Sequence, residues 1–173
     1  MNIVEGGKVS ELLRDIPIPN MFHARQTFPR DVIRPEDIPA VVNEQMGQEQ
    51  FASLIKPGME IAITAGSRGI RNVDIITKAV VDFVKSRGAY PFIVPAMGSH
   101  GGATVEGQTE ILAGYGITEE AMGCPLCIGT GTQVIGTTQD GLPVQIDAFA
   151  AQADGIIVVN RIKAHTAFMG DYE

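Results

Sequence analysis

Six side chains in this sequence have the chemistry to hold an anion and move a proton: Ser67, Arg68, His100, Arg161, Lys163 and His165. They fall in three short stretches, Thr64-Ala-Gly-Ser-Arg-Gly69, Gly98-Ser-His-Gly-Gly102 and Asn160-Arg-Ile-Lys-Ala-His-Thr166. A guanidinium grips a carboxylate or phosphate through two parallel N–H bonds, and an ammonium adds a compact charge. An imidazole exchanges a proton near neutral pH, and only three histidines occur in the 173 residues. Two of them lie in these stretches. The set predicts an anionic substrate or cofactor handled by a histidine pair. The third, His23 in Met21-Phe-His-Ala-Arg-Gln26, lies apart from the pattern and reads as a surface or structural residue.

Each stretch follows an apolar run, and the runs say how the side chains are positioned. Glu60–Thr64, Tyr90–Pro95 and Gly155–Asn160 read as strands. Between the first two, Asn72–Ser86 places Val73, Ile76, Ala79, Val80, Phe83 and Val84 on one helical stripe, closed by Gly88. Thr104–Gly114 reads as a second helix, so Gly98–Gly102 is a strand-to-helix turn whose amides and positive helix end favour an anion. Strands alternating with helices predict an α/β fold: a mainly parallel, Rossmann-like sheet with helices on both faces. In such a sheet the ligand crevice lies outside the carboxyl ends of the strands, so all three stretches belong on one rim.

Around this core the pattern is looser. Ile128–Thr138 and Leu142–Ile146 read as strands about a Gln139-Asp-Gly141 turn, and Asp147–Ala153 as a short helix. Residues 1–58 divide off as an N-terminal arm and short helices. Ile16-Pro-Ile-Pro-Asn20 is extended, a helix runs from Pro35 to about Met46, and another covers Gln48–Ile55 before Pro57-Gly58. Residues 59–173 form the α/β core. The last strand and the loop after it, Arg161–Glu173, are an unusual place for an α/β fold to stop, so a longer parent protein is expected.

Composition narrows the function. A 45% apolar content and a mean hydropathy of +0.12 fit one globular domain. No apolar run approaches the roughly 20 residues of a membrane span, and the N-terminus lacks a signal-peptide pattern, so a cytoplasmic location is expected. A net charge of −7 argues against a nucleic-acid partner. Gly66-Ser-Arg-Gly69 lacks the glycine spacing of a dinucleotide turn, which disfavours nicotinamide chemistry. Cys124-Pro-Leu-Cys127 follows a helix instead of preceding one, so the setting that activates a redox thiolate is missing, and one CxxC cannot fill a zinc site.

Taken in order, Ser67-Arg68, Gly98-Ser-His100 and Arg161-Ile-Lys-Ala-His165 resemble the N-terminal domain of the nickel-dependent lactate racemase family, over about Ile61 to Tyr172. The resemblance implies the N-terminal part of a two-domain protein whose active site lies between the domains. It also implies a nickel-pincer nucleotide that accepts and returns the α-hydride of a 2-hydroxy acid. By that resemblance His100 and His165 are the paired acid/base groups, and Arg68 binds the substrate. Ser67, Gly98, Ser99, Gly101, Gly102 and Lys163 are the cofactor-binding set. The cofactor-bearing lysine and the nickel-binding histidine are expected beyond Glu173, with no metal ligand within this chain. Expected partners are the 2-hydroxy acid, a C-terminal domain of the same chain and cofactor-assembly enzymes. Where the family often reads Asp-His-Thr-Arg-Pro, this chain has Ala65-Gly-Ser-Arg-Gly69 and so lacks the acidic contact; a bulkier 2-hydroxy acid than lactate is compatible with that change. Two other readings stand beside it: a non-catalytic anion-binding α/β module, and a CxxC thiol oxidoreductase.

Overall fold

The computed structural model describes residues 7–17, 20–27, 32–67, 69–161 and 169–170. The chain divides into two compact units, Met1–Val32 and Ile33–Glu173. In the first, α1 (Lys8–Leu12) is a short helix, and the described side chains, His23 included, are exposed.

The second unit is built on β1 (Glu60–Ala65), whose Ile61, Ala62 and Ile63 are all at most 2% exposed. A run buried on both faces is what a central parallel strand requires. It pairs in parallel with β2 (Tyr90–Pro95) on one side and β5 (Gly155–Ile157) on the other, giving the order β2-β1-β5. The α/β class and the parallel sheet are those the periodicity predicts.

The residues of β1 alternate between two cores. Ile61, Ile63 and Ala65 face the larger core, with Ile93 of β2 and the stripe of α4 (Val73–Ser86). Leu112 of α5 (Val105–Gly114) and Ala52 of α3 (Glu49–Ala52) join it, and Val42 and Met46 of α2 (Ile38–Met46) pack against it. Ala62 and Val94 face the other way, where a 3-10 turn at Ala150–Gln152 supplies Ala150 as cover. The expected helix at Asp147–Ala153 is thus one 3-10 turn, with Asp147 Oδ1 accepting from the amides of Phe149 and Ala150 at 2.9 and 3.0 Å.

α4 and α5 stop in the same way. Gly88 and Gly116 take φ of +75° and +76°, and the amides after them reach back to Val84 and Leu112 at 3.3 and 2.9 Å. That closure satisfies carbonyls a helix end leaves open and needs glycine for its left-handed residue. Inside α4, Thr77 is fully buried and its Oγ1 has no hydrogen-bond partner. Thr77→Val keeps the shape and removes the orphaned hydroxyl, so we expect a gain of about 1 kcal/mol in chemical unfolding.

A second, two-stranded sheet is an antiparallel hairpin of β3 (Thr132–Thr137) and β4 (Pro143–Asp147). It turns through Gln139–Gly141, with Gly141 at φ +82°, where the turn signal lies. Every β3 residue is exposed. Ile128–Gly131 lie outside the strand predicted from Ile128 onward, while a one-turn helix α6 (Glu119–Met122), capped by Thr118, precedes Cys124.

Candidate active-site rim

Register brings the first two polar stretches level. Ala65 of β1 lies beside Pro95 of β2, and the ladder runs one bond further, from the Ala96 amide to the Ala65 carbonyl at 2.8 Å. Ser67 and the Gly98–Gly102 loop therefore leave the sheet side by side. Across this gap Ser67 Oγ hydrogen-bonds Nδ1 of His100, and both residues are half-buried.

The third stretch reaches the same end. β5 stops at Ile157, short of the expected Asn160, yet the Val159 amide still donates to Thr64 Oγ1 at 3.0 Å. Arg161 then donates from its guanidinium to the Gly69 carbonyl at 3.3 Å. Ser67, His100 and Arg161 thus share one rim. Arg68, Lys163 and His165 lie outside the described residues.

The loop that carries His100 is unusually tight. Met97, 7% exposed, anchors it in the core, and the His100 amide donates back to the Met97 carbonyl at 3.2 Å. His100–Ala103 is a 3-10 turn in which Gly101, Gly102 and Ala103 all take positive φ, between +56° and +67°. Thr104 ends it and caps α5, accepting from the Gly107 amide at 3.1 Å. Gly101 and Gly107 meet backbone to backbone: a Cβ on Gly107 would lie 2.0 Å from the Gly101 carbonyl oxygen. Gly98 and Gly102 instead face open space. Below the loop, buried Gln108 donates from Nε2 to the Gly98 carbonyl at 3.2 Å, while its Oε1 has no partner.

Tyr115, at the end of α5, donates its phenolic O–H to the Ser67 carbonyl. Sequence reasoning did not select Tyr115, Gln108 or Gly107. Only Gly107 left a signal, as a glycine inside a helical pattern, which points to a close backbone approach.

Two hollows lie outside the Ser67–His100 contact, and the second reaches Asn160 at the start of the third polar stretch. One of about 830 Å³ sits by Glu60 and Tyr90, the first residues of β1 and β2, with Lys85, Cys124 and Cys127 on its wall. The other, about 760 Å³, is an apolar groove that Met46, Leu54 and Ile157 help to line. Cys124 and Cys127 are free thiols in the two different cores, and burial pushes the pKa of both above the ordinary range. Thiols so placed are held protonated at neutral pH, which is not the form that attacks a disulfide.

This parallel α/β domain gathers a hydroxyl, an imidazole and a guanidinium at the carboxyl ends of its strands, the edge at which open α/β sheets generally hold their ligands. More narrowly, the chain matches the family model described as the lactate racemase N-terminal domain over residues 16–170, and it belongs to that family. Comparison with curated proteins and with solved structures gave no match.

Proposed function

We propose that this chain is the N-terminal domain of a 2-hydroxy-acid racemase or epimerase, and that the rim is its half of the active site. The observation that carries the reading is the Ser67–His100 contact across the β1 and β2 exits, in a chain of the lactate racemase family. His100 and His165 are the acid/base pair, one for the hydroxyl proton of each enantiomer. Arg68 and Arg161 bind the carboxylate. The substrate is lactate or a larger 2-hydroxy acid, and the protein works in the cytoplasm. Among the described residues no helix is long and apolar enough to cross a membrane.

The residues on this rim fit the phosphate of a nickel-pincer nucleotide. Gly98 and Gly102 leave open space beside a loop of left-handed residues, where their amides, with those of Ser99 and Gly101, would hold an anion. Ser67 and Lys163 complete that set. Among the described residues no three histidine, cysteine, aspartate or glutamate side chains come together as metal ligands. When bound, the cofactor supplies the acceptor for the α-hydride. The chain's own work is to orient the carboxylate and to take the hydroxyl proton and give it back.

The test uses the full-length protein produced with cofactor-assembly enzymes and nickel, screened against single enantiomers of 2-hydroxy acids by chiral chromatography. We expect conversion of at least one acid to its mirror form. No stereochemical change across a broad panel, with cofactor loading verified, overturns the reading.

A further inference from the structure

We propose that Ser67 fixes which ring nitrogen of His100 exchanges the proton, and that Tyr115 holds Ser67 in place for that task. The proposal rests on the acid/base reading of His100 above. An imidazole that both takes and returns a substrate proton works best when a single nitrogen does the exchange in both protonation states. Ser67 Oγ engages Nδ1. If Nδ1 keeps its hydrogen and donates it to the hydroxyl oxygen, the bond survives whether Nε2 is bare or protonated. The reverse polarity, hydroxyl donating to Nδ1, exists only in the neutral ring, because imidazolium has donors alone. A hydroxyl acceptor on Nδ1 therefore assigns the exchange to Nε2 without any turn of the ring.

The backbone makes Ser67 a dependable acceptor. Its carbonyl accepts from Tyr115 O–H, so the loop after β1 is tied to the end of α5. Tyr115 is itself set by the helix closure beside it. The Gly116 amide donates to Ala113 and the Ile117 amide to Leu112, both at 2.9 Å, and Leu112 and Ile117 are fully buried. Ser67 is thus a positioning residue held from the far end of the helix whose first turn packs against the His100 loop.

The readout is the ring state of His100 in the full-length protein labelled at histidine nitrogens, its signals assigned by their loss in His100→Gln. Imidazole in water prefers its hydrogen on Nε2, so a neutral ring with hydrogen on Nδ1 reports a local acceptor. We expect the Nδ1–H form in the wild type, reversion toward Nε2–H in Ser67→Ala, retention in Ser67→Thr and partial reversion in Tyr115→Phe. In the cofactor-loaded enzyme, Ser67→Ala should lower kcat by about 10- to 100-fold with KM little changed, and Ser67→Thr should restore it. A wild-type ring with hydrogen on Nε2, or a Ser67→Ala ring unchanged from wild type, overturns the proposal whatever the activities are. If His100→Gln leaves racemisation intact, it is the acid/base reading that falls, and the ring-state result still stands or falls by itself.

Discussion

Replacing His100 with alanine in the full-length, cofactor-loaded protein is expected to lower kcat by about 10²–10⁴-fold, the usual worth of a positioned acid or base. The loss in kcat/KM must be equal in the two directions. Mirror-image acids have the same free energy, so kcat/KM for each is tied to the other by the equilibrium constant of one. Removing a group that serves only one face still slows both directions alike. Single turnovers lack that constraint. On the paired reading proposed above, with His100 gone the enantiomer assigned to His165 should still lose its hydroxyl proton and reach the 2-keto acid, while its mirror form should not. Rapid-quench measurement of 2-keto acid from each pure enantiomer checks this, and equal yields from the two would sink the paired assignment.

Gly107→Ala is expected to do comparable damage without touching a chemical group. The new Cβ would sit 2.0 Å from the Gly101 carbonyl oxygen, a backbone atom that cannot swing aside. Either α5 or the His100 loop must move. Overpacking of this kind costs about 1–3 kcal/mol, a fall in Tm of roughly 2–12 °C for a domain of this size. Gly114→Ala is the internal control. It lies in the same helix with nothing within 4 Å of its added Cβ, so it should stabilise by about 0.5–1 kcal/mol. Thermal unfolding of the two variants should give shifts of opposite sign. A Gly107→Ala protein with unchanged Tm and activity would show that the contact is not rigid.

What the sequence reveals here follows from what is local. Glu60–Ala65 and Tyr90–Pro95 are legible almost to the residue, because a doubly buried parallel strand is a plain apolar run with polar residues at its exit. β5 is overread because Val158 and Val159 are as β-prone as Ile156 and Ile157, but their amides leave the ladder and one turns to the Thr64 side chain. The polar stretches are legible as a set. Their contacts are not, since Ser67 to His100 spans 33 residues, Ser67 to Tyr115 spans 48 and Gly69 to Arg161 spans 92. Periodicity carries no information about which side chain bridges a gap of that length. Ala103 is a further case: an alanine at φ +56° gives no sign in a sequence, and only tertiary packing can hold it there.

The β3–β4 hairpin has a practical meaning apart from the rim. Two strands whose residues are mostly exposed gain little from the core, and a lone pair of strands is barely stable in water. The tip at Gln139–Gly141 is therefore where the chain best accepts foreign sequence. A fluorophore or affinity tag inserted after Asp140 would ride on the hairpin and leave the Ser67–His100 pair undisturbed. Ligand binding could then be followed without altering the chemistry being measured.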